Sequence, residues 1–92
     1  MSSSLPRPSL RVLLVEDNAT DALVVCDELA HAVEVAFVVE PATRLQAALA
    51  LLAGAVFDVV LLDLSLPDCD GLDTFLRLRA AAPELPVVVL SH

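Results

Sequence analysis

The stretch Arg11-Val12-Leu13-Leu14-Val15-Glu16-Asp17-Asn18 and its later counterpart Val59-Val60-Leu61-Leu62-Asp63 decide how this chain folds. Each is a short run rich in Val and Leu, the composition of a strand buried on both faces of a parallel sheet. Each runs into carboxylates. Packing asks for no charge at the end of a buried strand, so acids delivered there are candidates for chemistry. Taken alone, Glu16-Asp17 reads as well as ordinary loop and helix-start residues as it does as a site. Two acid-tipped strands in one short chain point to a site.

Working outward, Asn18 offers an N-cap, and Ala22, Val25, Cys26 and Leu29 recur at helical spacing between Ala19 and His31, with Asp21 in the first turn. Val35 to Val39 reads as a second strand. Leu45, Ala48, Leu49 and Leu52 form a second helical stripe that Gly54 can terminate. The third strand, Asp58 to Asp63, leads into the turn-rich loop Ser65-Leu66-Pro67-Asp68-Cys69-Asp70-Gly71. A third stripe follows in Leu72, Phe75, Leu76 and Arg79, with Asp73 near its start, Arg77 and Arg79 near its end and Pro83 as a stop. Pro86 to Leu90 supplies a fourth strand. This (βα)3β alternation demands an open, doubly wound parallel sheet of the α/β class, with right-handed crossovers and helices on both faces. The expected organisation is a flexible tail over residues 1–10 and one domain over residues 11–92.

Composition narrows the function. The chain of 92 residues is 58% hydrophobic and 20% charged, which excludes disorder for most of its length. Its net charge of -8, with five Arg and no Lys, excludes nucleic acid as a direct partner and favours a cation or a basic surface. The N-terminus lacks the apolar core of a signal peptide, and the longest apolar run, Ala47 to Phe57, falls short of the ~20 residues that span a bilayer. A cytoplasmic location is expected. Cys26 and Cys69 have no metal-ligand spacing and read as free thiols, and His31 and His92 have no partner at ligand spacing.

Ligands of an open parallel sheet sit outside the carboxyl ends of its strands, where the strand order reverses. With the first and third strands adjacent at that point, Glu16, Asp17 and Asp63 meet in one pocket. Three carboxylates repel, so at neutral pH such a site either holds a proton on one of them or binds a cation, and an all-oxygen set suits Mg²⁺, which keeps several waters and takes carboxylates together with a phosphate.

The runs Leu14-Val15-Glu16-Asp17-Asn18 and Leu61-Leu62-Asp63-Leu64, Pro67 four positions after Asp63, Asp70-Gly71 seven and eight after it, and Val87-Val88-Val89-Leu90-Ser91 together resemble the receiver domain of two-component response regulators. The resemblance implies a flavodoxin-like strand order, 2-1-3-4-5. It implies that Asp63 is the phospho-acceptor, taking a phosphoryl group from a sensor histidine kinase or phosphotransfer protein. Asp17 would bind Mg²⁺ directly, Glu16 through water, and the backbone carbonyl of Ser65 would complete the protein ligands. Ser91 would be the switch hydroxyl that bonds the phosphoryl group. Such a domain is no conventional enzyme, although it catalyses its own phosphorylation and dephosphorylation.

The chain departs from that family in stopping at His92, before a receiver's fourth helix, fifth strand and fifth helix, and in lacking the Lys that contacts the phosphoryl group. His92 stands where the family has a small residue. An edge strand over Val87 to Leu90 is an association hazard, so a homo-oligomer through that edge, or a longer parent protein, is expected. The alternative function is a receiver-like interaction module that docks without being phosphorylated. A dehalogenase-type phosphohydrolase wants a second Asp at position 65, where this chain has Ser, and two glycines cannot build a phosphate-cradling loop.

Overall fold

The computed structural model describes residues 8–90. In chain order it contains β1 (Ser9–Val15), α1 (Ala19–Ala30), β2 (Ala36–Ala42), α2 (Leu45–Gly54), β3 (Val59–Asp63), the two-residue strands β4 (Ser65–Leu66) and β5 (Cys69–Asp70), α3 (Leu72–Ala81) and β6 (Val87–Leu90). The main sheet runs β2-β1-β3-β6 with every pairing parallel, and β6 is the fourth strand of the sequence pattern. The doubly wound, flavodoxin-like α/β fold is therefore present. No helix among the described residues is long and apolar enough to cross a membrane.

Alternation along the central strands sorts their side chains between two faces. Leu13 and Val15 of β1 and Val60 and Leu62 of β3 join Leu45 and Ala48 of α2 and Leu78 of α3 in one buried cluster. Val12 and Leu14 are equally buried but lie outside that cluster, on the face left to α1. Helix α1 covers it thinly. None of its residues is fully buried; the expected stripe of Ala22, Val25, Cys26 and Leu29 is half-buried, while Leu23 and Val24 are 70% and 57% exposed.

Three local expectations are corrected. β1 starts at Ser9 instead of Arg11, because Ser9 and Leu10 pair with Ala36 and Phe37. Of the expected tail, residues 1–7 lie outside the described residues. β2 runs on to Ala42 through Pro41, which sits opposite Leu14. An edge strand tolerates a residue with no N–H to donate. In α3 the buried face is Thr74 and Leu78, an i, i+4 pair, whereas Leu72 and Leu76 are 66% and 53% exposed. Gly71, at φ 69°, precedes the helix with a backbone that glycine adopts without the cost a side chain would bring.

The loop after β3 is a small antiparallel hairpin: Ser65 pairs with Asp70 and Leu66 with Cys69, leaving Pro67 and Asp68 at the tip. That tip caps a helix elsewhere. Arg44 occupies the N-cap position of α2 with extended backbone and no side-chain cap bond. The amide of Leu45 donates instead to Asp68 Oδ1 at 2.8 Å, and that of Gln46 to Asp68 Oδ2 at 2.9 Å. These bonds, the Gln46 amide foremost, hold the Asp68 carboxyl below its ordinary value of 3.8 against the opposing effect of desolvation, with the Arg44 charge assisting.

Two predictions follow from this packing. Leu62 is fully buried in the main cluster, so Leu62→Ala should lower unfolding free energy by about 3 kcal/mol in urea, while Leu76→Ala on the open side of α3 should change it by no more than about 0.5 kcal/mol. A carboxylate whose pKa is depressed on folding contributes stability above its unfolded pKa and loses it as pH falls through the folded value. Urea midpoints of the wild type and Asp68→Asn should accordingly stay apart above pH 3.8 and converge below it as Asp68 takes up its proton.

Candidate metal centre

The parallel register brings the acids together. Val15 is paired with Leu62, so Glu16 and Asp63 each stand one residue beyond that pair, on neighbouring strands. Ligand oxygens of Glu16, Asp17 and Asp63 all lie within 4.8 Å of one another. Glu16 and Asp63 are each 4% exposed, whereas Asp17 faces solvent. The arrangement is a buried pair with one open acid at its rim.

Local hydrogen bonds fix these side chains. The Glu16 amide donates to the Ala42 carbonyl at 2.9 Å, fastening the end of β1 to the end of β2. The Glu16 carboxylate accepts from the Asn18 amide at 3.4 Å. Asn18 in turn caps α1, its Oδ1 accepting from the Asp21 amide at 3.0 Å. Asp63 Oδ1 accepts from the Ser65 amide at 3.0 Å, a short side-chain turn that limits rotation of the carboxylate.

Charge makes this cluster selective. Two carboxylates 4.8 Å apart repel by roughly 3 kcal/mol at an effective dielectric of ~20. A divalent cation offsets that repulsion. The donor set is entirely oxygen, with no thiol or imidazole within it, which favours a hard ion such as Mg²⁺ over zinc. An exposed third acid suits an ion that keeps part of its water shell. The residues present therefore fit Mg²⁺.

The structure thus unites three of the residues singled out in the sequence, Glu16, Asp17 and Asp63, and sets Ser65 beside Asp63 through its amide. Ser91 lies outside the described residues. The sequence reading missed Asp68, whose partners are 22 and 23 residues away. The available signal was the absence of a capping side chain at Arg44, together with an acid in the loop after Asp63.

Comparison with known proteins places this geometry in a family. The response regulator receiver domain model matches residues 12–92. The aerobic respiration control sensor protein ArcB of Escherichia coli is 38% identical over an alignment of 90 residues that covers 92% of this chain and 11% of that protein. A protein-glutamate methylesterase/protein-glutamine glutaminase of Anaeromyxobacter dehalogenans is 43% identical over an alignment of 93 residues that covers 99% of this chain and 25% of that protein. The chain thus spans between about a tenth and a quarter of the length of these relatives. Among solved structures, the phosphorylated cyanobacterial phytochrome response regulator RcpA superposes with a TM-score of 0.79 at 29% identity, covering 90% of this chain and 65% of that one. MaeR bound to beryllium trifluoride gives 0.77 at 25% identity, covering 88% and 66%. With the acid-tipped strands, the strand order and the family match all in agreement, the chain belongs to the response regulator receiver domains of two-component systems.

Proposed function

We propose that this chain accepts a phosphoryl group on Asp63 from a phosphohistidine of a sensor histidine kinase or phosphotransfer protein, with Mg²⁺ as cofactor. The observation that carries the reading is the convergence of Glu16, Asp17 and Asp63 within 4.8 Å at the carboxyl ends of β1 and β3, with Asp63 buried.

Asp17 and Asp63 would hold the ion directly, Glu16 through water, and the Ser65 carbonyl would add a neutral oxygen. When bound, Mg²⁺ neutralises charge that builds on the phosphoryl oxygens. The Asp63 carboxylate attacks phosphorus. An O–P bond forms as the P–N bond to the donor imidazole breaks, and the electron pair stays on that nitrogen while the ring's other nitrogen keeps its proton, so the donor leaves as neutral imidazole. The Ser65 amide supports the step by holding one carboxylate oxygen, reducing the orientational freedom lost on reaction. Hydrolysis of the acyl phosphate by water returns Asp63 and inorganic phosphate. The chain contains no Lys, and the cation would meet much of the phosphoryl charge. Ser91 is the proposed hydroxyl partner of the phosphoryl group.

Incubation with Mg²⁺ and a small phosphodonor such as acetyl phosphate should add about 80 Da to the intact mass, the increment of one phosphoryl group. Asp63→Asn should abolish the gain, and omission of Mg²⁺ should suppress it. No Asp63-dependent gain would refute the proposal. Asp17→Asn removes one charged ligand and should weaken Mg²⁺ binding by roughly tenfold or more in calorimetric titration, because affinity follows the ligand charge count.

A further inference from the structure

We propose that Asp68 is a positioning residue of the phosphoryl-acceptor site: by capping α2 from the tip of the β4–β5 hairpin, it fixes the segment on which Ser65 stands and so the neutral oxygen of the cation's ligand set. The inference rests on the Mg²⁺-dependent reading of that site given above.

The hairpin cannot hold itself. It has only two residue pairs, Ser65 with Asp70 and Leu66 with Cys69, and an isolated ladder of that size is not stable in water. It is held at three places. At its base the Gly71 amide donates to the Leu64 carbonyl at 2.7 Å. In its middle Leu66 is buried in the core at 6% exposure. At its tip Asp68 takes the amides of Leu45 and Gln46, one on each carboxylate oxygen, at 2.8 and 2.9 Å. Without the tip bonds the hairpin is held only at its base and by the buried Leu66, about which it can pivot. Ser65 is its first residue, two positions after Asp63, so its carbonyl belongs to the segment that a pivot moves. The same residue's amide holds Asp63 Oδ1 at 3.0 Å, so a pivot reaches the acceptor as well.

The bonds serve two ends at once. The first amides of a helix need acceptors, and α2 supplies none of its own, since Arg44 makes no side-chain cap bond. An ordinary cap would come from Arg44's own position. Its place is taken by a carboxylate 22 and 23 residues further along the chain, in the loop that follows Asp63. This placement couples the stability of α2 to the geometry of the acceptor loop, and the two roles can be separated by mutation. Arg44 already has the extended backbone of an N-cap, at φ -153° and ψ 161°, so Arg44→Ser can supply a local cap without restoring the tether.

The test uses calorimetric Mg²⁺ titration, since the chain has no Trp or Tyr to report binding optically, together with thermal melts and amide exchange. The wild type, Asp68→Ala, Asp68→Asn, Arg44→Ser and the Arg44→Ser/Asp68→Ala double variant are compared. Asp68→Ala should lower Tm and weaken Mg²⁺ binding by roughly tenfold, the lower edge of what the loss of an outer supporting partner costs. Exchange at Leu45, Gln46 and Gly71 should quicken. Asp68→Asn, with one acceptor oxygen in place of two, should fall between and gives the readout should the Ala variant not fold. The double variant should recover Tm but not Mg²⁺ affinity, measured against Arg44→Ser alone. Recovery of both would show that Asp68 serves only as a cap, and wild-type affinity in Asp68→Ala would overturn the inference while leaving the acceptor reading intact. Absence of Mg²⁺ binding by the wild type would instead remove the acceptor reading, and this inference with it.

Discussion

The parallel register between β1 and β3 is the constraint on which the rest depends. Val12 lies opposite Val59 and Val15 opposite Leu62, so the acids that follow each strand emerge side by side. A slip of one residue would turn every side chain of one strand to the other face, moving Leu62 out of the core and Asp63 away from Glu16. The register is locked where the strands begin. The Arg11 amide donates to Asp58 Oδ2 at 2.7 Å, the Asp58 amide donates to the Arg11 carbonyl at 2.8 Å, and the Arg11 guanidinium stacks 5.1 Å from the Phe57 ring centroid. The same pairing fixed at the amino end determines where the carboxylates stand at the other.

That arrangement sets burial against repulsion. Val12, Leu13, Leu14 and Val15 are each at most 1% exposed, and burying an aliphatic side chain is worth about 1.5–3 kcal/mol. The run therefore holds the strand in place with two buried acids and one exposed acid gathered at the strand ends.

How far the fold and site were legible in the sequence follows from the range of each interaction. The strand ends at Asp17 and Asp63 stand out because an apolar run stopping in charge is a local contrast, and Asn18 announces the next helix within a few residues. The sheet order follows once the resemblance of those motifs is admitted, since alternation alone fixes a parallel sheet but not which strands are neighbours. What stayed hidden is non-local or depends on phase. Asp68 looks like any loop acid until the sheet brings it to α2. Thr74 and Leu78 turn inward although leucine spacing points to Leu72 and Leu76, because the face a helix buries is set by what it packs against and not by its own sequence alone. Pro41 argues against a strand until β2 is known to be an edge.

The two helix starts explain how a chain with only two glycines can build this kind of site. Folds of this class that hold phosphate on a glycine-rich loop present bare amides at a helix N-terminus. Here protein oxygens take amides at both starts that flank the acids. Asn18 caps α1 and its own amide bonds Glu16, while Asp68 takes the first amides of α2. Each acid-bearing loop is thereby fastened to a helix, and the helix dipoles stabilise the chain's own oxygens. The amides at these helix starts are thus engaged by the chain's own oxygens, and the three carboxylates at the strand ends, within 4.8 Å of one another, form an all-oxygen donor set of the kind that suits a hard cation.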